Sequence, residues 1–256
     1  MALKRERNGA VEILTLNRPE QRNAMNPEMI YALDDAFNEC ERDPAVRAMI
    51  LTAAGDKAFC AGMDLKAFAE AGGADMFAKK EPTGFRNFNE GRLTKPIIAA
   101  VQATAVAGGF ELMMNCDIAV AAETAKFGIP EVKRGLFAAG GGVLLPARIP
   151  LAVALELGLT GDPIDARRAY ELGIVNRVVP AAEVLANALQ IANRIAENGP
   201  LAIAATKKLM YATATRGADV GRLLMAGEQE KVFKSQDAME GAKAFGEKRT
   251  PQWRGV

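Results

Sequence analysis

Hydrophobic and polar positions alternate along the first half of the chain and then change to a helical period. The segment LKRERNGAVEILTL alternates on both sides of Asn8-Gly9, which predicts a hairpin with a type I′ turn. AVRAMILTA, KPIIAAV, IAVAAE and AKFG are short apolar runs typical of buried strands. From Gly140 onward the apolar period is helical, so helices are expected to dominate the last third of the chain.

Capping residues mark the start of the first predicted helix. Asn26 suits the N-cap and Pro27 the first helical position. The apolar positions that follow fit a 3.6-residue period: Met29, Ile30, Leu33, Phe37 and Cys40. Asp43-Pro44 is expected to end this helix.

Further helices are predicted around and after the glycine-rich stretches. One opens after Gly62 in FCAGMDLKAFAEAGG, and a short buried one lies in FELMMNCD. GGVLLPARI, LAVALELGLTG and DARRAYELG are three later candidates, and a long amphipathic helix is expected to stop at Gly199-Pro200. The polar segment 72–90 is expected to be mobile.

Composition narrows the class of protein. The 256 residues are 50% hydrophobic, which allows a sizeable core, and the 32 basic and 31 acidic residues leave a net charge of +1. This balance argues against nucleic acid as the main partner, because a phosphate backbone requires clustered positive charge. The chain has no histidine, so proton chemistry must come from other groups, and neither a Ser-His-Asp site nor a zinc site is expected.

Cysteine usage and the terminal sequence indicate a cytoplasmic protein that does not associate with membranes. Cys40, Cys60 and Cys116 are odd in number and form no CxxC pair, which is typical of free buried thiols. The N-terminal segment MALKRERNGAVEIL has no apolar signal region, and Pro96 to Phe110 is short for a membrane span.

Two loops share a pattern of strand, small residues with glycine, and helix. They are ILTAAGDKAFCAGMDLK and IIAAVQATAVAGGFEL. Helix starts carry unpaired N–H groups and a positive dipole end, so two converging starts would suit a developing oxyanion. The amides of Met63 and Gly108 are the candidates. The alternative is that the glycines only allow tight packing of strand and helix.

Two glutamates lie in strongly apolar surroundings. Glu111 falls in the first turn of a predicted helix, and Glu131 follows KFGIP. Two carboxyl groups whose surroundings push their pKa values apart can divide the roles of acid and base. The alternatives are a first-turn capping acid for Glu111, and a solvated side chain or a partner of Lys133 or Arg134 for Glu131.

Six pieces of the chain, in order, resemble the crotonase (enoyl-CoA hydratase/isomerase) superfamily. They are LNRPEQRNAM, FCAGMDLK, KPIIAAV, AVAGGFELMMNCDIAVAAETAKFGIPEVKRGL, LTGDPIDARRAYELGIVNRVV and AFGEKRTPQW. The resemblance covers essentially the whole chain. It implies an α/β fold, a spiral of ββα units over residues 1–195, and a helical region over 196–256 that covers the active site and forms trimers or dimers of trimers.

The resemblance also implies an acyl-CoA substrate and no separate cofactor or metal. In the family a thioester oxygen lies between two backbone amides, which match Met63 and Gly108, and hydratases carry two glutamates, which match Glu111 and Glu131. Residues implied for coenzyme A and the substrate are Arg22, Ala24, Ala61, Gly62, Asp64, Leu65, Lys66 and Lys248. For the basic side chains the alternative is a solvated surface charge.

Departures from the family pattern leave the acyl group open. Gln102-Ala103 stands where Asn-Gly is frequent, and Ala107 replaces the first glycine of a common triplet. The leading interpretation is reversible syn hydration of a trans-2-enoyl-CoA. A carnitinyl-CoA dehydratase-like or isomerase activity on a specialised acyl group is the alternative, and a non-catalytic acyl-CoA-binding protein is a third possibility.

Overall fold

The structure, a computed structural model, describes residues 1–70 and 81–256. Its strands are β1 (Leu3–Asn8), β2 (Val11–Leu16), β3 (Ala48–Ala53), β4 (Ile97–Val101), β5 (Ala105–Val106), β6 (Ile118–Ala122), β7 (Lys126–Gly128), β8 (Ile164–Asp165) and β9 (Arg177–Val179). Its helices are α1 (Pro27–Arg42), α2 (Leu65–Glu70), α3 (Thr83–Asn89), α4 (Gly108–Asn115), α5 (Leu151–Thr160), α6 (Ala166–Glu171), α7 (Val184–Ala196), α8 (Pro200–Arg216), α9 (Ala218–Phe233) and α10 (Gln236–Glu247). Of the segment 72–90 that was expected to be mobile, residues 72–80 lie outside the described residues.

A six-stranded sheet in the order β1-β2-β3-β4-β6-β9 forms the centre of the fold. Only the β1–β2 pair is antiparallel, and β3 and β4 are buried along their full length. A second sheet, β5-β7-β8, takes the strands that directly follow β4 and β6. The carboxyl ends of β3 and β4 therefore meet at one edge, where parallel sheets usually bind their ligands.

The predicted hairpin forms, but its turn differs from the prediction. Asn8 pairs with Val11, so the two central residues are Gly9 and Ala10. Only Gly9 has a positive φ, of 59°. A type I′ turn requires positive φ at both central positions, so this pattern is that of a type II′ turn with glycine first.

Local signals determine the boundaries of α1 as expected. The Asn26 side chain accepts a hydrogen bond from Met29 N, Pro27 is the first helical residue, and the helix ends before Asp43. Its predicted apolar positions are all buried. By contrast, GGVLLPARI forms a 3-10 helix over Gly142–Ala147, because Pro146 and the preceding glycines do not support a regular α-helix.

Helices dominate the last third of the chain, as predicted, but Gly199-Pro200 starts a helix as well as following one. Pro200 occupies the first turn of α8. A partly buried ion pair of 2.7 Å between Lys207 Nζ and Asp117 Oδ2 ties α8 to the start of β6. The division at residue 195 stays a prediction.

Two further findings concern the described residues as a whole. The thiols of Cys40, Cys60 and Cys116 are free and buried, as expected. None of the helices in residues 1–70 and 81–256 is long and apolar enough to cross a membrane.

Candidate active site

The loop that follows β3, here called the first glycine loop (residues 54–64), is held by a short bridge to residues 22–25. Ala61 N donates to Arg22 O at 3.1 Å, Met25 N donates to Gly62 O at 2.7 Å, and Asp64 N donates to Met25 O at 2.9 Å. This parallel pairing skips the amide of Met63. Among the described residues, the Met63 N–H therefore has no acceptor.

The Met63 amide does not lie at a helix start, contrary to the expectation from the sequence. Helix α2 begins at Leu65, not directly after Gly62, and Asp64 Oδ1 accepts from Ala67 N in its first turn. Met63 lies before this helix, so its amide is not one of the unpaired donors of a helix start. It is free because of the backbone bridge to Met25.

The segment between β4 and α4 (residues 102–107) turns the chain directly into α4. Ala107 has φ 53° and ψ −136° and is the N-cap of this helix. Its N–H donates to Gly128 O at 2.9 Å, and its carbonyl accepts from Phe110 N and Glu111 N. Gly108 is thus the first helical residue, and its amide is one of the donors that a helix start leaves unpaired.

The two free amides lie side by side. A Cβ atom built on Gly108 would lie 3.5 Å from Gly62 Cα and 3.7 Å from Met63 N, and one built on Gly62 would lie 3.0 Å from Gly108 N. The glycines also allow tight packing, since a Cβ on Gly109 would come within 2.0 Å of Cys60 O. The glycines therefore allow tight packing, and they also leave the two amides next to each other.

Glu111 is buried, with 6% of its surface exposed, and its carboxylate contacts the backbone of residues 140–142. Oε1 accepts from Gly140 N at 2.7 Å and from Gly142 N at 2.8 Å. Glu111 lies in the first turn of α4, as the alternative had it, but its carboxylate makes no capping hydrogen bond to that helix. Burial raises the pKa of the Glu111 carboxyl, and the hydrogen bonds from Gly142 and Gly140 offset part of that rise.

Glu131 lies in a 3-10 helix, Pro130–Arg134, and is half-buried. Its Oε2 is buried and has no hydrogen-bond partner among the described residues. Burial raises the pKa of Glu131; its own backbone N–H lowers it, and the charge of Glu111 raises it further. The Glu131 carboxyl therefore lies within electrostatic range of the Glu111 charge. Glu131 forms no ion pair with either predicted basic neighbour, and Lys133 pairs with Asp162 instead.

The residues implied for coenzyme A surround the first glycine loop, with one exception. Arg22 and Lys66 are exposed, and within the described chain Arg22 has no ion pair. Leu65 is exposed too, whereas Ala24, Ala61 and Gly62 are at least partly covered. Lys248 follows α10 in a left-handed conformation. Among the described residues, no hydrogen bond or ion pair joins it to the first glycine loop.

The backbone N–H and carbonyl of Asp64 already form hydrogen bonds within the protein. Its N–H donates to Met25, its carbonyl accepts from Phe68 N, and its carboxylate pairs with Arg18 at 3.0 Å. Burial opposes ionisation of Asp64, but the hydrogen bond from Arg18 is the main reason that its pKa lies below the ordinary value. Asp64 therefore holds the loop together.

Sequence reasoning missed two residues that build this site. Arg18 donates to Asp64 and to Ala24 O, and so joins both ends of the bridge. Asn23 is fully buried, and its Nδ2 donates to Ala54 O at 2.9 Å and to Ala58 O at 3.0 Å. Both residues stand in the segment LNRPEQRNAM, which resembles the family, but their contacts depend on the fold.

The arrangement suits chemistry on a carbonyl compound. Two adjacent free amides can bind one oxygen and stabilise negative charge on it without any side-chain ordering. Two carboxyl groups with raised pKa values can divide the roles of acid and base between them. In residues 1–70 and 81–256 no group of three or more acidic, cysteine or histidine side chains has a geometry that would hold a metal ion.

Comparison with known proteins identifies the family of the chain. A family described as Enoyl-CoA hydratase/isomerase matches residues 6–256. The chain is 42% identical over 252 residues to an enoyl-CoA hydratase of Mycobacterium tuberculosis, covering 97% of this chain and 94% of the relative. It is also 42% identical over 255 residues to the carnitinyl-CoA dehydratase of Salmonella typhi, covering 97% of each.

A solved structure gives the same result for the fold. The crystal structure of enoyl-CoA hydratase from Mycobacterium tuberculosis superposes with a TM-score of 0.91 at 44% identity, covering 100% of this chain and 99% of the other. The chain therefore belongs to the enoyl-CoA hydratase/isomerase family and has the α/β crotonase fold, as the resemblance implied.

Proposed function

We propose that the protein is an enoyl-CoA hydratase, a hydro-lyase that adds water reversibly and syn to a trans-2-enoyl-CoA to give a 3-hydroxyacyl-CoA. The observation that carries this proposal is that two free, adjacent amides lie at the start of the helix that carries the buried Glu111, while Oε2 of Glu131 is buried without a partner among the described residues. The family membership and the names of the relatives support it.

The amides of Met63 and Gly108 bind the thioester oxygen in this mechanism. As water adds, negative charge builds on that oxygen in an enolate, and each donor stabilises it. Loss of one such donor typically costs about 3 kcal/mol of transition-state stabilisation. The donors belong to the backbone and are fixed by neighbouring hydrogen bonds, so they need no rearrangement when the charge forms.

Glu111 acts as the base and Glu131 as the acid. Glu111 orients one water and takes a proton from it while the oxygen attacks the β-carbon. Glu131 holds the same water and delivers a proton to the α-carbon, which completes the addition. The unpaired, buried Oε2 of Glu131 is available for these contacts. The reaction uses no separate cofactor, because coenzyme A is part of the substrate.

Coenzyme A is expected to lie along the first glycine loop. Arg22 and Lys66 are exposed cations beside this loop and suit the phosphates, while Ala24, Ala61 and Leu65 lie along the path to the amides. Lys248 is proposed to reach the coenzyme A of a neighbouring subunit.

Self-association as a homotrimer or a dimer of trimers is part of the proposal. Large apolar side chains are exposed on a single chain, including Val143 at 62%, Leu159 at 72%, Met239 at 71% and Phe245 at 88%. Association of chains would cover such side chains. Light scattering behind a sizing column measures the mass directly. The free thiols also suit a cytoplasmic enzyme.

A dehydratase of a specialised substrate is the second candidate, because one set of relatives is named carnitinyl-CoA dehydratase. A spectrophotometric assay of hydration over short, long and branched enoyl-CoA substrates, with crotonobetainyl-CoA and a 3-enoyl-CoA alongside, separates the candidates. Hydration of a plain enoyl-CoA is the expected result. Turnover of crotonobetainyl-CoA or of the 3-enoyl-CoA alone would favour the dehydratase or an isomerase, and no turnover with any thioester would refute the proposed function.

A further inference from the structure

The glycine triplet Gly140–Gly142 encloses two side chains of α4. A Cβ on Gly140 would lie 2.7 Å from Glu111 Oε2, and one on Gly142 would lie 3.2 Å from Glu111 Oε1. Gly141 has φ 126°, and a Cβ there would lie 2.9 Å from Asn115 Oδ1. Only glycines leave room for Glu111 and Asn115 together, so the triplet is fitted to both side chains.

Asn115 follows Glu111 by four residues, which places the two side chains on the same face of α4. Its Nδ2 donates to Gly140 O at 2.9 Å and to Asn89 Oδ1 at 3.0 Å. The Gly140 carbonyl can only accept a hydrogen bond, so the group of Asn115 that contacts it is the amide nitrogen. Gly140 is therefore held at both of its polar groups, its N–H by Glu111 and its carbonyl by Asn115.

We propose that Asn115 is a positioning residue for Glu111: by holding the Gly140 carbonyl, it keeps the amides of Gly140 and Gly142 on the Glu111 carboxylate. The connection to Asn89 fixes Asn115 from α3, so the loop, α4 and α3 form one assembly. The role of Glu111 as the base belongs to the proposed function, and the catalytic part of this inference rests on it.

The consequence is electrostatic as well as geometric. The two amides donate to the charged form of the Glu111 carboxyl and lower its pKa against the effect of burial. The charge of Glu111 in turn raises the pKa of Glu131. Without Asn115 the Gly140 carbonyl is released, the amide contacts loosen, and the Glu111 pKa rises.

Amide signals of the loop give a test that needs no activity. Protein labelled with ¹⁵N-glycine is titrated by NMR, and the signals of Gly140 and Gly142 are those whose pH dependence disappears in Glu111→Gln. In Asn115→Leu we expect their midpoint to rise by about one pH unit, which lowers the ionised fraction of Glu111 about tenfold on the acidic side of the transition. Asn115→Ala is the second variant if the larger side chain prevents folding.

The control is Asn198→Leu, because Asn198 is an exposed asparagine whose Nδ2 bonds only to Arg194 O within its own segment. It should leave the midpoint unchanged. The acid limb of kcat/KM for crotonyl-CoA should move upward in parallel with the NMR midpoint in the Asn115 variants. An unchanged midpoint in folded Asn115→Leu or Asn115→Ala overturns the inference. A shifted midpoint with no hydration by the unsubstituted protein would instead refute the proposed function alone.

Discussion

Replacing Glu111 by glutamine removes one charge from the site and almost nothing else. The amide oxygen of glutamine can still accept from Gly140 N and Gly142 N, the two donors that hold Oε1 in place. The fold and the contact with the glycine triplet should therefore persist. What disappears is the group that takes a proton from water.

The expected loss follows from the contribution of a positioned base. General acid–base catalysis supplies about 10²–10⁴-fold, so kcat for crotonyl-CoA hydration should fall by that factor. This corresponds to about 2.7–5.4 kcal/mol in activation free energy. Affinity for the product, measured by calorimetry with a 3-hydroxyacyl-CoA, should stay within about twofold, since the amides of Met63 and Gly108 and the coenzyme A contacts are untouched.

Stability should move in the opposite direction. Burial raises the pKa of Glu111 in the folded state, so its ionised form destabilises the protein at pH values above that pKa. The destabilisation declines as the pH falls below the folded-state pKa and is absent below the unfolded-state value of about 4.3, where the carboxyl is protonated in both states. Glu111→Gln should therefore melt at a higher temperature than the unsubstituted protein at pH 8, with a smaller difference in acid.

Glu183→Gln is the matched control, because Glu183 is an exposed glutamate with no ion pair among the described residues. It should change neither activity nor melting temperature. Activity of Glu111→Gln above about a third of the original would refute the assignment of Glu111 as a buried base. A lower melting temperature of this variant at pH 8 would refute it as well.

Four further predictions address separate features. Glu131→Gln should lower hydration by about 10²–10⁴-fold with product affinity retained; loss of affinity would indicate a structural role. Burial raises the pKa values of both carboxyls. The midpoint of the acid limb of kcat/KM should therefore lie above about pH 4.3, the ordinary pKa of glutamate. A midpoint below that pH would contradict the burial argument. Ala107→Gly should raise the free energy of unfolding in urea by about 1 kcal/mol, since it relieves a φ of 53°; a decrease would show that no strain is stored there. Lys207→Met should lower it by about 1–3 kcal/mol, because the largely covered Asp117 carboxylate would lose its ion-pair partner and keep the hydrogen bond from Ile97 N; an unchanged free energy of unfolding would contradict this.

Local signals explain how much of the fold was predictable. Asn26 and Pro27 specify the start of α1 by their own chemistry, and the buried strands are visible as short apolar runs. Where a local pattern competes with backbone geometry, the prediction was less accurate. The hairpin turn moved by one residue to place glycine at the positive φ, and Pro146 prevented an α-helix after the triplet.

The candidate site was predictable only as far as its residues carry their own signature. Met63, Gly108 and the two glutamates stand in segments that resemble a family. The structure places the two amides next to each other and leaves Oε2 of Glu131 buried without a partner among the described residues. The reason for the free Met63 amide was not predictable, because it depends on pairing with Met25, which is distant in sequence.

The contacts that hold the site are tertiary and leave no local trace. Asn115 reads as one polar residue in an apolar helix, and Arg18 as one basic residue in a polar loop. Their partners, Gly140 and Asp64, lie 25 and 46 residues away along the chain. Such contacts require the fold, since a polar side chain signals no particular partner in advance.

The most direct test of the central claim is a crystal structure of the Glu111→Gln variant with crotonyl-CoA bound. The account predicts that the thioester oxygen lies within about 3 Å of both Met63 N and Gly108 N, with the β-carbon facing residues 111 and 131. A thioester oxygen that contacts only one of these amides, or neither, would contradict it.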